Sequence, residues 1–342
     1  MLFPQHSALN PQDFPPEKIL LIHSGGIGDL LLALPAMRVF HHAFPNAILE
    51  MMGRTERLAL VAHDLRADAL HSIDQAGMAH FYSDGADLPP RLGAFFSSFG
   101  VALLFGKTGG KILAKNLEKA GVGRIFFIPS FPPEGLKVHA SHFLMENLNR
   151  KGIKGEKAFW PLELPEKGQG FATDFMAGHG MKEGERILTI HPGSGSPAKN
   201  WLPEDFARVA DGAEERARIL LISGPAEDGA REVRRALKRA DPLLADNLPL
   251  LHLAALLKKS RVYLGNDSGI THLAASLAVP SVALFGPTDP TVWGPWFPTV
   301  RILHGKNSSP PCIPGTRHQA AGRGSVNISL QEVLDILIPL IG

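Results

Sequence analysis

A carboxylate that closes a glycine turn can act as a general base, and the chain carries one in Ser24-Gly25-Gly26-Ile27-Gly28-Asp29. Glycines there let backbone amides come close to a ligand, and Asp29 falls where a helix begins. Two roles stay open for Asp29: a base that takes a proton from a hydroxyl, or an N-terminal acid favoured by the helix dipole. A second set, His191-Pro-Gly193-Ser194-Gly195-Ser196-Pro-Ala-Lys199, puts two hydroxyls and one lysine on permissive backbone. An ammonium in such a loop suits a diphosphate, although a loop lysine can equally be only solvated. The third, Gly265-Asn-Asp267-Ser268-Gly269-Ile-Thr-His272, ends a strand and starts a helix. Asp267 and Ser268 can cap that helix, and its first N–H groups and dipole suit an anionic leaving group. His272 in the first turn can hydrogen-bond a phosphate or a sugar hydroxyl, or pack as a core histidine.

Three such turns need strands and helices to hold them. Lys18–His23 is a short apolar run of the kind buried in parallel sheets, and it leads directly into the first glycine turn. Similar runs follow at Ala47–Met52, His71–Ile73, Val101–Phe105 and Ile125–Ile128, and a second series at Arg186–Ile190, Arg218–Ser223, Arg261–Leu264 and Ser281–Phe285. Helix-length segments separate them, so the chain is expected to be α/β, with two Rossmann-like, doubly wound domains. Their expected bounds are residues 1–165 and 171–328, with a linker-like stretch from Trp160 to Gly170. Residues 329–342 form a last amphipathic helix opening on Ser329 with Glu332 three residues on, which can pack back on the first domain. Ligands bind at the carboxyl edges of such sheets, where all three glycine turns fall, and two such edges define a cleft.

Composition narrows the function further. The chain has 342 residues and a net charge of +2, with no basic concentration of the kind that marks a nucleic-acid partner. Its single cysteine, Cys312, allows neither an intrachain disulfide nor a thiolate metal cluster, which fits a reducing cytoplasm. No signal-peptide pattern and no run of about 18 apolar residues occurs. The dinucleotide fingerprint fails, because counting from Gly26 and Gly28 the last glycine position is Leu31, and there is no GxxxxGK[ST].

Taken in order, Ile-Gly-Asp29-Leu-Leu-Leu-Ala-Leu-Pro-Ala, Pro-Gly-Ser194…Lys199-Asn-Trp-Leu-Pro-Glu-Asp-Phe and Gly-Asn-Asp267-Ser-Gly-Ile-Thr-His272-Leu-Ala-Ala resemble the ADP-heptose:lipopolysaccharide heptosyltransferases of glycosyltransferase family 9. The resemblance spans residues 18–340. It implies a GT-B fold, two Rossmann-like domains facing across a cleft, the acceptor held by the first and the nucleotide sugar by the second. It implies inverting, metal-independent transfer of heptose from ADP-L-glycero-D-manno-heptose to the inner core of lipopolysaccharide, without a cofactor. Asp29 matches the family's catalytic carboxylate, with Gly25, Gly26 and Gly28 as the acceptor-side loop. Lys199 matches the lysine on the donor diphosphate, Ser194 a donor-contacting hydroxyl, and Asp267, Ser268, Gly269 and His272 the donor-binding turn. Glu227 is the choice for a donor ribose or heptose contact, with Asp228 its competitor.

The pattern departs from the family at two places: Leu32 stands where some members carry a histidine, and Cys312 is alone where others have several cysteines. Lys107, Lys111, Lys115 and Lys119 recur every fourth residue, so a helix there carries a basic stripe. The stripe is either a solvated face or a contact with the phosphorylated lipid A core or the inner membrane. Two other functions remain in view: a GT-B enzyme for another nucleotide sugar, including UDP-sugar epimerisation, and a non-catalytic nucleotide-sugar-binding protein.

Overall fold

The computed structural model describes residues 16–107, 109–156, 158–182, 184–225, 228–305 and 326–342. The chain divides into two units, Met1–Ala158 and Phe159–Gly342.

The first unit runs β1 (Lys18–His23), α1 (Ile27–His42), β2 (Ile48–Gly53), α2 (Thr55–Ala62), β3 (Ala69–Ser72), α3 (Met78–Phe81), α4 (Pro90–Phe96), β4 (Val101–Gly106), α5 (Gly110–Lys119), β5 (Arg124–Pro129) and α6 (Ala140–Arg150). All its strands pair in parallel, in the order β3-β2-β1-β4-β5. The central strands β1 and β4 are buried along nearly their whole length, which is why they appear in the sequence as unbroken apolar runs. Leu20, Ile22 and Leu104 pack with Phe81, Phe96, Phe99 and Leu117 into one apolar cluster. The order of strands reverses between β1 and β4, and the crevice beyond their carboxyl ends is where doubly wound sheets bind ligands.

The second unit runs α7 (Glu166–Gly178), β6 (Ile187–His191), α8 (Pro203–Ala213), β7 (Arg218–Ser223), α9 (Gly229–Ala236), β8 (Leu243–Asp246), α10 (Leu250–Lys258), β9 (Val262–Asn266), α11 (Gly269–Ser276), β10 (Ser281–Phe285), α12 (Pro290–Trp293), β11 (Val300–His304) and α13 (Leu330–Ile341). Its parallel order is β11-β10-β9-β6-β7-β8, so the reversal lies between β6 and β9. Both units are therefore Rossmann-like doubly wound sheets.

Several expectations need correction. The stretch from Trp160 to Gly170 is not all linker, because a helix starts at Glu166, directly after Pro165. Two edge strands escaped the sequence reading: β8 has only four residues, and β11 is largely exposed and shows no buried run. The last helix belongs to the second unit. Its stripe Val333, Leu337 and Ile341 packs with Leu188, Ile190, Leu264 and Val282 of the second sheet. The Trp201 indole N–H donates to the Ile328 carbonyl at 2.9 Å and so anchors the approach to that helix. The expected capping box is present: the Glu332 amide donates to Ser329 Oγ at 3.2 Å and the Ser329 amide to Glu332 Oε2 at 2.9 Å. Pro35 lies inside α1 without ending it.

Candidate functional site

Each unit carries its charged motif at the carboxyl end of its own strand-order reversal. In the first, β1 ends at His23, and Ser24, Gly25 and Gly26 turn the chain into α1. Asp29 sits in the first helical turn, where its Oδ2 accepts the Gly26 amide at 2.9 Å. The helix-acid role and a role as base are thus compatible, because the amide occupies one oxygen of the two. The turn is too tight for a side chain: a Cβ on Gly25 would lie 2.9 Å from both Asp29 Cβ and His23 Cε1. Gly28 follows in the first turn of α1.

Asp29 lines a cavity of about 460 Å³ within the first unit, bounded also by His23, Arg57, Tyr82, Phe105, Lys107, Ser130 and Phe131. Of the titratable side chains among these, His23, Arg57 and Tyr82 were not singled out from sequence. His23 is buried and its pKa is pushed down to about 4, chiefly by burial and also by Arg57, with Asp29 opposing. The ring is therefore neutral at physiological pH. Arg57, from α2, donates through Nη1 to the Gly25 carbonyl at 2.8 Å. Burial, then Arg54, lowers the Arg57 pKa, while Asp29 and Glu56 raise it. Tyr82 is raised by burial and by Asp74. A signal for His23 was available, since it ends the strand that leads into the turn; nothing local to Arg57 pointed to Gly25.

The lysine stripe differs from its expected form. Lys107 precedes α5 in the loop from β4, lies 5.0 Å from the Phe131 ring centroid and faces the Asp29 cavity. Lys111, Lys115 and Lys119 are exposed on α5. Of these, Lys115 pairs with Asp84 at 2.7 Å and Lys119 reaches the Ala86 carbonyl at 3.3 Å.

In the second unit the loop after β6 and the turn after β9 meet. Lys199 closes a short 3-10 turn, Pro197–Lys199, and its Nζ lies 2.7 Å from Asp267 Oδ2. Asp267 is almost fully buried and Lys199 about one-quarter exposed. An ammonium has three donors, and this pair engages one. Ser194 Oγ lies 2.6 Å from Asn200 Oδ1 and 2.7 Å from the Ser196 carbonyl, so this hydroxyl shapes its own loop. Ser268 caps α11, its Oγ accepting the Thr271 amide at 3.3 Å and lying 3.3 Å from His191 Nδ1. Gly269 is the first helical residue, and His272 is buried in the first turn with its amide on the Ser268 carbonyl. Asn266, not singled out from sequence, joins the two segments. Its Oδ1 accepts the Trp201 amide at 3.0 Å and its Nδ2 donates to the Pro192 carbonyl at 2.8 Å. Asp228 precedes α9 without a side-chain capping bond, its Oδ1 3.4 Å from Arg231 Nη1, whereas Glu227 and Cys312 lie outside the described residues.

Among the described residues no group of three or more His, Cys, Asp or Glu side chains could hold a metal ion, and no helix is long and apolar enough to cross a membrane.

The profile of glycosyltransferase family 9 (heptosyltransferase) matches residues 130–319. Lipopolysaccharide heptosyltransferase 3 of Escherichia coli K12 is 23% identical over 297 residues, covering 79% of this chain and 82% of that protein. Two solved structures share the fold: a family 9 glycosyltransferase from Veillonella parvula, with TM-score 0.76, 19% identity and coverage of 95% and 97% of the two chains, and the ADP-heptose LPS heptosyltransferase II of E. coli, with TM-score 0.73, 18% identity and coverage of 95% and 98%.

Proposed function

The chain belongs to glycosyltransferase family 9, and from that premise we propose that it transfers heptose from ADP-L-glycero-D-manno-heptose to the inner core of lipopolysaccharide, with Asp29 as general base. It is a glycosyltransferase with the fold of the GT-B heptosyltransferases. The observation that carries the finer reading is the position of Asp29: at the reversal of the first sheet, lining a cavity, with one carboxylate oxygen on the Gly26 amide. The names of the relatives support the donor and the acceptor class, since the E. coli proteins are heptosyltransferases of lipopolysaccharide and one is named for ADP-heptose.

In the reaction, the acceptor hydroxyl gives its proton to Asp29 as its oxygen attacks the anomeric carbon. The bond from that carbon to the diphosphate breaks on the opposite face, which inverts the configuration and releases ADP. Lys199, oriented by Asp267, and the first turn of α11 behind Ser268 and Gly269 stabilise the charge that develops on the diphosphate. Ser194 and His272 line the donor side, and Glu227 is the proposed contact to the donor sugar or ribose. Because this charge stabilisation comes from the protein, transfer is expected to proceed in EDTA.

We place the enzyme in the cytoplasm, with Lys111 and its neighbours on α5 meeting the phosphorylated lipid A core or the inner face of the membrane. A transfer assay with ADP-heptose and a panel of truncated core acceptors tests the function. Release of ADP with heptosylation of one acceptor supports it, and absence of transfer from ADP-heptose to every core acceptor contradicts it.

A further inference from the structure

The Gly25–Gly26 peptide is held from both sides. Its carbonyl accepts Arg57 Nη1 at 2.8 Å, and its N–H donates to Asp29 Oδ2 at 2.9 Å. A trans peptide is planar, so the two hydrogen bonds are linked through one rigid group. Anchoring the carbonyl fixes the direction of the N–H, and a guanidinium on the oxygen makes that N–H a stronger donor. The anchor is needed because neither flanking residue has a Cβ. A Gly-Gly peptide can rotate at little steric cost, and the rotated plane would turn its carbonyl oxygen towards the carboxylate.

We infer that Arg57 is a positioning residue for Asp29: it locks the Gly25–Gly26 peptide so that the Gly26 amide holds one carboxylate oxygen and leaves the other aimed at the acceptor hydroxyl. This rests on the reading of Asp29 as the base. Arg57 reaches the turn from α2, 32 residues away in sequence, and it borders the same cavity as Asp29. The Asp29 charge raises the Arg57 pKa, and the Arg57 charge lowers that of His23. Lysine can supply a donor and a charge at this place but not a planar fork, so it should serve only in part.

The test compares Arg57→Ala and Arg57→Lys with the wild type and with Asp29→Asn, reading kcat, both KM values and the acid limb of the pH–rate profile. Arg57→Ala is expected to lower kcat by about tenfold to a hundredfold, part of the 10²–10⁴ that a general base supplies, with the donor KM within about twofold. Its acid limb should move to higher pH, because a carboxylate that loses an N–H partner is a stronger base. Arg57→Lys should recover part of the rate, and millimolar guanidinium should raise turnover by Arg57→Ala. Should Arg57→Ala not fold, Arg57→Lys decides: an intermediate kcat and limb support the inference. Wild-type kcat and an unmoved limb in the Arg57 variants, with Asp29→Asn inactive, overturn the inference alone. Full transfer by Asp29→Asn overturns the reading of the base beneath it.

Discussion

Lys199 and Asp267, separated by 68 residues, meet at 2.7 Å and bring the loop after β6 onto the turn after β9. The aspartate is buried at the base of the pair and the ammonium points outward from it, so the pair acts as an oriented cation at the head of α11. Replacing Lys199 with Met is expected to weaken ADP binding by about tenfold to a hundredfold, the range of one charge-assisted hydrogen bond. Asp267→Asn should weaken it less, because the ammonium stays while its orientation is lost. Titration calorimetry with ADP checks both, and unchanged affinity in Lys199→Met would remove the lysine from the donor site.

Gly25→Ala should act on Asp29 directly. The added Cβ falls 2.9 Å from Asp29 Cβ and 3.0 Å from its Oδ2, so the carboxylate or the turn must move. Transfer is expected to drop at least tenfold, and stability by about 1–3 kcal/mol, the usual cost of overpacking. Gly93→Ala, inside α4 with open space around its Cβ position, should leave activity unchanged and stabilise by about 0.5–1 kcal/mol. Equal activities for the two variants would contradict the crowding argument.

His23 gives the first unit a pH dependence of defined sign. The folded ring titrates near 4 and the unfolded ring near its ordinary 6.5, so on acidification the unfolded chain takes the proton first. The neutral buried ring costs nothing above pH 6.5, and stability is lost as pH falls from 6.5 to 4, by about 3 kcal/mol in all. Urea unfolding of wild type and His23→Gln at pH 7 and pH 5 should show a smaller loss in the variant. Equal losses would mean that His23 is not the titrating group.

The exposed lysines of α5 test the contact with an anionic surface. Changing Lys111, Lys115 and Lys119 to Gln should weaken binding to vesicles rich in anionic lipid by at most about a hundredfold, near 1 kcal/mol per residue. The true effect should be smaller, because Lys115 already pairs with Asp84. Sedimentation with vesicles at two salt concentrations measures it, and binding unchanged by the triple substitution would make the stripe a solvated face.

Much of this site was legible because its parts are local. Asp29, Lys199, Asp267 and Ser268 lie in short segments where glycine, a charge and a helix start are adjacent, and β1 and β4 show as apolar runs because both their faces are covered. What could not be read from sequence depends on partners far along the chain. Arg57 matters through Gly25, Asn266 through Pro192 and Trp201, and nothing near either residue names those partners. The sheet that covers the last helix is not legible in the sequence for a related reason. An apolar stripe shows that α13 must be covered but not by which sheet, and the choice is made by Trp201 and the second core. Lys107 kept the helical spacing of the stripe while lying outside the helix, since periodicity cannot locate the first residue of α5.

The proposed transfer turns on Asp29 taking the proton of the acceptor hydroxyl. Asp29→Asn keeps the shape of the side chain and removes the base, so the direct test is its kcat beside its affinity for the ADP-sugar donor. With Asp29 as the base, kcat falls by about 10²–10⁴ while donor affinity stays within about twofold of wild type. Wild-type turnover in Asp29→Asn would contradict it.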